Sequence, residues 1–173
     1  MPSPPIFSHV IGSMAILVFA SLLTFAFVSI GNGVINDLVK PQLQEVSDHI
    51  ANTMLELLAL TKSTNEVNVI MVKEVEIPMS LEMYGYNIRL TNRGSAYVVA
   101  VSTDMFSWLY GTTEISIREQ EAKVDLASGD LPALVNGRRI HKSSIVQSGA
   151  KVVIWSIKSQ EGITLGLGFY ANG

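Results

Sequence analysis

The pattern of apolar and polar residues divides the chain into three stretches. From Val10 to Ile30 the residues are apolar or small, and none of them is charged. From Leu43 to Leu58 apolar residues recur every three or four positions, which is typical of an amphipathic helix. Beyond Ser63 the period changes to two, which is typical of β-strands.

The uncharged stretch is long enough to cross a membrane as a helix. Its length of about 20 residues corresponds to about 30 Å of helix, which is the thickness of bilayer hydrocarbon. Cleavage as a secretory signal peptide is the alternative, but such peptides usually begin with basic residues. Residues 1–9 contain no lysine or arginine and include three prolines. We therefore expect the helix to be retained, either in a membrane or in the core of a fibre.

Small residues are spread through this stretch and suit close packing between helices. The predicted helix-packing positions are Gly12, Ser13, Ala20 and Ala26, of which Ser13 and Ala20 lie one heptad apart. The alternative interpretation is that these are small residues that face lipid. The flanking charges do not indicate the orientation in a membrane, because the first lysine is Lys40.

The amphipathic stretch is expected to continue the same helix and to pack its apolar face against the β-domain. We predict that the chain is almost wholly helical from Met1 to about Thr61. Any break is expected at Gly31–Gly33 or at Pro41, where glycine and proline weaken a helix. Without a break, a helix from Phe7 to Thr61 is about 80 Å long, which is more than a bilayer requires.

The remainder of the chain predicts a β-sandwich, because short alternating segments are separated by turn sequences such as Asn92–Ser95. The segment Leu131–Leu134 is interpreted as a connection. The expected strands are a segment within Val67–Ile77, then Tyr86–Leu90, Tyr97–Val101, Phe106–Tyr110, Glu114–Arg118, Lys123–Leu126, Ser144–Gln147, Val152–Ile157 and Ile163–Phe169.

The predicted fold class is therefore α+β. A long apolar N-terminal helix is followed by an all-β, immunoglobulin-like sandwich, with domains at residues 1–63 and 64–173. A chain that begins near Glu66 is expected to fold as a soluble β-domain without associating as the full chain does.

Composition narrows the range of functions. The chain is 48% apolar and its mean hydropathy is +0.34, which is high for a soluble domain. A formal net charge of −3 gives no reason to expect a nucleic-acid partner. Because the chain has no cysteine, disulfide bonds, thiolate metal sites and cysteine nucleophiles are excluded.

The residues that usually carry chemistry do not form a recognisable motif. His9, His49 and His141 lie in three different predicted elements, and none has a second histidine or a carboxylate at metal-ligand spacing. No combination of nucleophile, base and oxyanion site is apparent. We therefore predict that the protein is not an enzyme and has no catalytic, metal or cofactor site.

Several other residues have an expected structural place. No helix is predicted after Gly166 and Gly168, so they do not indicate a phosphate-binding loop. They are interpreted instead as part of a glycine-rich edge strand. Arg138–Arg139 predicts a basic turn, with a charged contact to a neighbouring subunit as the alternative. Trp108, Tyr110 and Trp155 are expected in the core, with surface anchors as the alternative, and Glu74, Glu76 and Glu82 are expected on an exposed strand face.

The order of these elements resembles the archaeal type IV pilin superfamily. That superfamily includes filament pilins, archaellins and the single-span accessory proteins of the archaellum. The stretch Ser8–Leu22 is similar to the start of the accessory type. The segments Gln44–Ala51, Met54–Leu57 and Ile77–Leu90 resemble a helix-to-first-hairpin pattern that is common across the superfamily.

The resemblance implies a structural subunit of, or a membrane-anchored accessory to, a pilus or an archaellum. It further implies self-association through the N-terminal helix or association with other filament subunits, contacts with the cell wall or S-layer, and a β-domain outside the cytoplasm. Such pilins and archaellins carry a basic residue just before the site of prepilin peptidase cleavage. Residues 1–9 have none, so the sequence leaves open whether the N-terminus is cleaved. If it is not cleaved, the resemblance shifts toward a membrane-retained accessory or stator-like subunit.

The alternative is a membrane-tethered extracytoplasmic β-sandwich module that binds cell-wall or solute ligands. Such a module would need a concave site lined by aromatic residues. The filament interpretation is preferred because a simple tether does not require the amphipathic helix from Leu43 to Leu58, whereas a rod that holds a β-domain away from a membrane or fibre axis does.

Overall fold

The computed structural model describes residues 4–94, 96–118, 121–132, 134–135 and 137–171. These residues form one α-helix followed by ten β-strands. The elements are α1 (Pro4–Ser63), β1 (Val69–Glu74), β2 (Tyr86–Arg93), β3 (Ala96–Thr103), β4 (Tyr110–Ile115), β5 (Lys123–Asp125), β6 (Gly129–Asp130), β7 (Ile140–Lys142), β8 (Ile145–Gln147), β9 (Val152–Ser159) and β10 (Gly162–Tyr170).

The long N-terminal helix is confirmed. α1 includes 60 residues, and neither Gly31–Gly33 nor Pro41 interrupts it. Pro41 has no amide hydrogen, so the carbonyl of Asp37 lacks its usual partner within the helix. Residues 1–3 of the predicted helix lie outside the described residues.

The contacts divide the chain into two compact units, Met1–Leu38 and Val39–Gly173. The division falls inside α1, whereas the division predicted from the sequence follows the end of the helix at Ser63. We call Val39–Ser63 the core segment of α1 and His9–Leu38 its exposed segment. The core segment belongs to the same compact unit as all ten strands.

The strands form two sheets, which confirms the α+β layout with a β-sandwich-like domain. The first sheet has the order β1-β9-β10-β7-β6, and β5 pairs in parallel with β10. The second sheet has the order β4-β3-β2-β8, and all of its pairings are antiparallel.

The core segment contacts both sheets. Buried Ser47 donates a hydrogen bond of 2.9 Å to the carbonyl of Val99 in the second sheet. Near the other end, the hydroxyls of Thr61 and Ser156 lie 2.5 Å apart, and Ser156 belongs to the first sheet. Because both sheets pack on one helix, the core segment is part of the hydrophobic core and not an accessory to it.

The buried face of the core segment supplies a large share of the apolar core. Leu43, Ile50 and Met54 are completely inaccessible to solvent. Complete burial of one such side chain contributes about 1.5–3 kcal/mol. The second half of the predicted helix therefore packs against the β-domain, as its periodicity indicates.

The path of the chain between β3 and β4 differs from the prediction. Two strands were expected, at Phe106–Tyr110 and Glu114–Arg118, but residues 104–109 form a turn and a single strand, β4, follows. The hydroxyl of Thr103 stabilises the turn, since it donates to the carbonyl of Phe106 and accepts from the amide of the same residue. Threonine competes with strand pairing in this way at turns.

The interpretation of Gly166 and Gly168 as part of an edge strand is wrong. Their strand, β10, is central in the first sheet, because it pairs with β9 on one side and with β5 and β7 on the other. A Cβ atom at Gly166 would lie 2.3 Å from the indole ring of Trp155, and one at Gly168 would lie 2.6 Å from the carbonyl oxygen of His141. The glycines therefore leave room for a buried tryptophan and for a neighbouring strand.

The burial of the core segment changes the expectation for truncated chains. We expect a chain that begins at Glu66 not to fold, because it lacks the helix on which both sheets pack. A chain that begins at Asp37 keeps the complete core segment and should unfold cooperatively. Thermal unfolding followed by circular dichroism distinguishes the two, and a cooperative transition in the Glu66 chain would contradict this prediction.

Two leucines of the core segment provide a matched pair of substitutions. Leu43 is 0% exposed and Leu60 is 56% exposed. Leu43→Ala should lower the free energy of unfolding by about 2–5 kcal/mol, because it leaves a cavity. Leu60→Ala should change it by about 0.5 kcal/mol or less. Denaturant unfolding of the full chain in mild detergent, followed by near-ultraviolet circular dichroism, measures both, and equal effects would contradict the assigned burial.

Candidate functional site: the exposed segment of α1

The exposed segment presents an apolar surface that no other described side chain of its unit covers. Every residue from His9 to Val34 is exposed, and the exposed fractions of Ile16, Phe25 and Phe27 are 70%, 75% and 72%. A single soluble chain rarely leaves so large a continuous apolar surface in water. Such a surface is compatible with contact with lipid or with other protein.

The same segment has the length and composition of a membrane span. Within the described residues, one helix is long and apolar enough to cross a membrane, with a mean hydropathy of 2.3 over its most apolar window. None of that window is buried, unlike the core helix of a soluble protein. The exposed segment is therefore compatible with membrane anchoring.

Three hydroxyl groups on the exposed segment are satisfied by the helix itself. Ser13 donates to the carbonyl of Val10 at 3.0 Å, Ser21 donates to that of Leu17 at 2.8 Å, and Thr24 donates to that of Ala20 at 2.9 Å. A hydroxyl that enters hydrocarbon without a partner is costly, so these bonds lower the cost of covering the helix with lipid or with another apolar surface.

The four predicted helix-packing residues lie on one broad side of α1. At about 100° of rotation per residue, Ser13 and Ala20 are about 20° apart, and Gly12 and Ala26 extend the set to an arc of about 140°. Nothing lies within 4 Å of the position of a Cβ atom on Gly12. The four residues leave space for a close neighbour, and which neighbour occupies it stays a prediction.

The chemical groups that the sequence singled out do not converge on a reactive centre. His141 does have a carboxylate neighbour that its sequence position did not reveal, because the pairing of β6 with β7 brings Asp130 within 2.9 Å. No group of three or more metal-ligating side chains occurs among the described residues. The histidine and its partner are both exposed, which is typical of a surface pair.

A second polar pair is half-buried beside the tryptophan of the first sheet. The ammonium group of Lys142 lies 3.0 Å from Oδ2 of Asp125 and 5.7 Å from the centre of the Trp155 ring. Burial alone would raise the pKa of Asp125, but the amide of Ala127 and the charge and hydrogen bond of Lys142 lower it below its ordinary value. The carboxyl group of Asp125 is therefore ionised at neutral pH, and its contact with Lys142 links β5 to β7.

The prediction for the large aromatic residues is confirmed at one position and wrong at two. Trp155 is buried, with 1% of its surface exposed, and donates to the carbonyl of Leu167. Trp108 and Tyr110 are 52% and 54% exposed. The reason is the turn at residues 104–109, which interrupts the alternation that would have directed Trp108 into the core.

The acidic residues are exposed as predicted, although only Glu74 lies in a strand. Glu82 belongs to the loop between β1 and β2 and accepts a hydrogen bond from Gln42. Arg138 lies in a turn as expected, and its guanidinium group packs over the ring of Tyr170 at 5.6 Å.

A groove in the C-terminal unit is large enough to hold a small ligand. It has a volume of about 480 Å³ and lies between the core segment and the chain after β1, where Glu45, His49, Glu76 and Leu81 line it. None of the described residues that line it is Phe, Tyr or Trp. The groove therefore lacks the aromatic lining that the binding-module alternative requires.

Comparison with known proteins adds no relative from which a function can be transferred. No family model matches the chain, and no curated protein or solved structure is similar to it.

Tyr86 fixes the loop that precedes β2. Its hydroxyl donates a hydrogen bond to the carbonyl of Pro78, and its side chain is fully buried. Burial raises the pKa of Tyr86 to about 12. Because the fold favours the neutral phenol, this stabilisation is complete below pH 10, the ordinary pKa, and is lost as the pH rises through about 12.

The raised pKa of Tyr86 can be measured directly. The chain has five tyrosines, and we expect one of them to ionise well above the ordinary range. Titration of phenolate absorbance in the folded chain should lose this late step in Tyr86→Phe and keep it in Tyr110→Phe, which alters an exposed ring. A late step that survives in Tyr86→Phe would contradict the assignment.

Proposed function

We propose that the chain is a structural subunit of, or a membrane-anchored accessory to, an archaeal type IV-like surface filament. The exposed segment holds the chain in the membrane or in the filament core, and the β-domain lies outside the cytoplasm. Association occurs through the N-terminal helix, either with further copies or with other filament subunits.

The observation that supports this proposal most is that one part of α1 is exposed and the other part is buried in the core of the β-domain. The part from His9 to Val34 is entirely exposed, whereas the part from Val39 to Ser63 carries the core of the β-domain. No described residue between the two parts leaves the helical conformation. A simple membrane tether needs only a flexible linker at this point, so a helical connection favours a role other than that of a simple tether.

The amphipathic periodicity from Leu43 to Leu58 no longer distinguishes a filament role from a simple membrane tether. The stretch from Leu43 to Leu58 is explained by its packing against both sheets, and any protein with this domain needs it. The choice between a filament subunit and a membrane-retained accessory depends on where the chain accumulates. Electron microscopy of cell-surface material, with mass spectrometry of the N-terminus, distinguishes them.

Filaments that contain this chain would support the subunit role, and an uncut chain confined to membranes would support the accessory role. A β-domain that binds neither filament nor cell-wall components would contradict both. The binding-module alternative has less support, because the groove beside the core segment has no aromatic lining among the described residues.

Ala20 provides a test of helix packing. We expect Ala20→Trp to disrupt association while membrane insertion continues, because a bulky ring prevents the close approach of a neighbouring helix. Val18→Trp is the control, since Val18 is also exposed and lies about 160° away around the helix. Sedimentation in detergent measures association, and carbonate extraction of membranes measures insertion. Equal association of both variants would contradict a packing role for Ala20.

A further inference from the structure

Exposed hydrophobic side chains are concentrated in two neighbouring loops of the C-terminal unit. The loops connect β1 to β2 and β3 to β4. We define the loop patch as four loop residues, Met79, Met83, Met105 and Trp108, together with Tyr110 at the start of β4. They are 80%, 89%, 71%, 52% and 54% exposed. These five are half of the ten large hydrophobic residues that are exposed among the described residues of this unit.

Aromatic contacts join the two loops into one surface. The rings of Tyr84 and Phe106 lie 5.4 Å apart with an edge-to-face orientation, and those of Phe106 and Trp108 lie 5.8 Å apart. The amide of Asp104 also donates to the carbonyl of Gly85 at 3.0 Å. The loops are therefore held together, and the exposure of their outer side chains is a property of the folded unit.

Buried residues anchor each loop from beneath. Leu81 is 3% exposed in the first loop, and Leu109 is 1% exposed in the second. Tyr86 fixes the start of the first loop through its bond to Pro78. Since the loops already bury these anchors, the outward methionines are not required for their folding.

The loop patch lies beside the residues with which the core segment begins. Gln42 donates to the carboxylate of Glu82 in the first loop at 3.2 Å. The side chain of Gln44 accepts a hydrogen bond from the amide of Thr112, just after the second loop, at 3.1 Å. The patch is therefore at the end of the C-terminal unit where the chain enters it at Val39.

The chain that leads to this point is uncharged almost to its end. No residue from Val10 to Asn36 is charged, and the first charge is that of Asp37. A helix of this length extends about 40 Å, which is the thickness of a bilayer with its headgroups. The C-terminal unit thus begins within about one helical turn of the point where an anchored segment leaves the headgroups.

We propose that the loop patch inserts into the interfacial layer of the bilayer that holds the exposed segment. This inference rests on the anchoring part of the proposed function. Tryptophan and tyrosine favour the headgroup level, where the ring is apolar and the polar atom stays hydrated. Covalent attachment to the membrane span gives the loops a high effective concentration at the surface, so that a weak interfacial affinity is sufficient.

The charges around the patch specify the kind of surface that it binds. Residues 75–85 and 104–109 contain no lysine or arginine, and they carry the carboxylates of Glu76, Glu82 and Asp104. Insertion therefore depends on apolar and aromatic side chains and not on attraction to anionic lipids. It should occur on zwitterionic phosphatidylcholine and should not weaken at high salt.

The two tryptophans of the chain allow a direct test. Trp108 belongs to the patch, and Trp155 is 1% exposed in the core and serves as an internal control. The full chain is reconstituted into phosphatidylcholine vesicles with brominated acyl chains, and flotation of the vesicles measures anchoring. We expect bromine to quench part of the wild-type fluorescence and to quench none in Trp108→Phe.

A second pair of variants tests the methionines. Met83→Gln combined with Met105→Gln should reduce the quenching of Trp108, because both side chains are exposed members of the patch. Leu60→Gln, which alters an exposed side chain outside the patch, should leave the quenching unchanged. Each of these variants should float with the vesicles as the wild type does.

The possible results separate this inference from the proposed function. A chain that floats while Trp108 is unquenched by lipid and accessible to aqueous iodide overturns the inference and leaves the anchor intact. A Trp108 that is protected from both quenchers is covered by protein, which also overturns it. A chain that does not float overturns the inference and the anchoring part of the proposed function together.

Discussion

The contact between the core segment of α1 and the two sheets is the interaction on which the folded unit depends. Ser47 links the helix to the second sheet and Thr61 links it to the first, and each buried hydroxyl has a partner. At Gly111 the helix backbone approaches so closely that a Cβ atom would lie 2.5 Å from the amide nitrogen of Gln44. The sheets are consequently arranged around the same helix, α1, that includes the exposed segment.

Most elements were predicted from local sequence patterns, whereas the short strands β6 and β7 were not. α1 and the hairpin of β2 and β3 follow from periodicity and a turn. The short strand β7 exists because it pairs with β10, which lies more than twenty residues later in the chain. Likewise, residue 166 is a glycine because the indole ring of Trp155 on the neighbouring strand leaves no room for a side chain. No local sequence pattern contains that information.

The candidate site shows the same limit. Sequence identifies the exposed segment, because hydropathy and length are local properties. The residues Gly12, Ser13, Ala20 and Ala26 are selected by size alone, and size does not determine which side of a helix a neighbour covers. Trp108 was assigned to the core because alternation is a local rule, and the turn stabilised by Thr103 overrides that rule.

The apolar surface of the exposed segment also limits the order of events in assembly. Each large apolar side chain that stays in water costs about 1.5–3 kcal/mol, so the segment requires an apolar cover as soon as it is synthesised. Under the proposed function, lipid provides that cover first. Movement from lipid into a filament core exchanges one apolar surface for another and therefore has little hydrophobic driving force. Under the proposed function, close packing at small residues and contacts between β-domains supply the free energy of association. This is why we expect a single bulky substitution to affect association more than insertion.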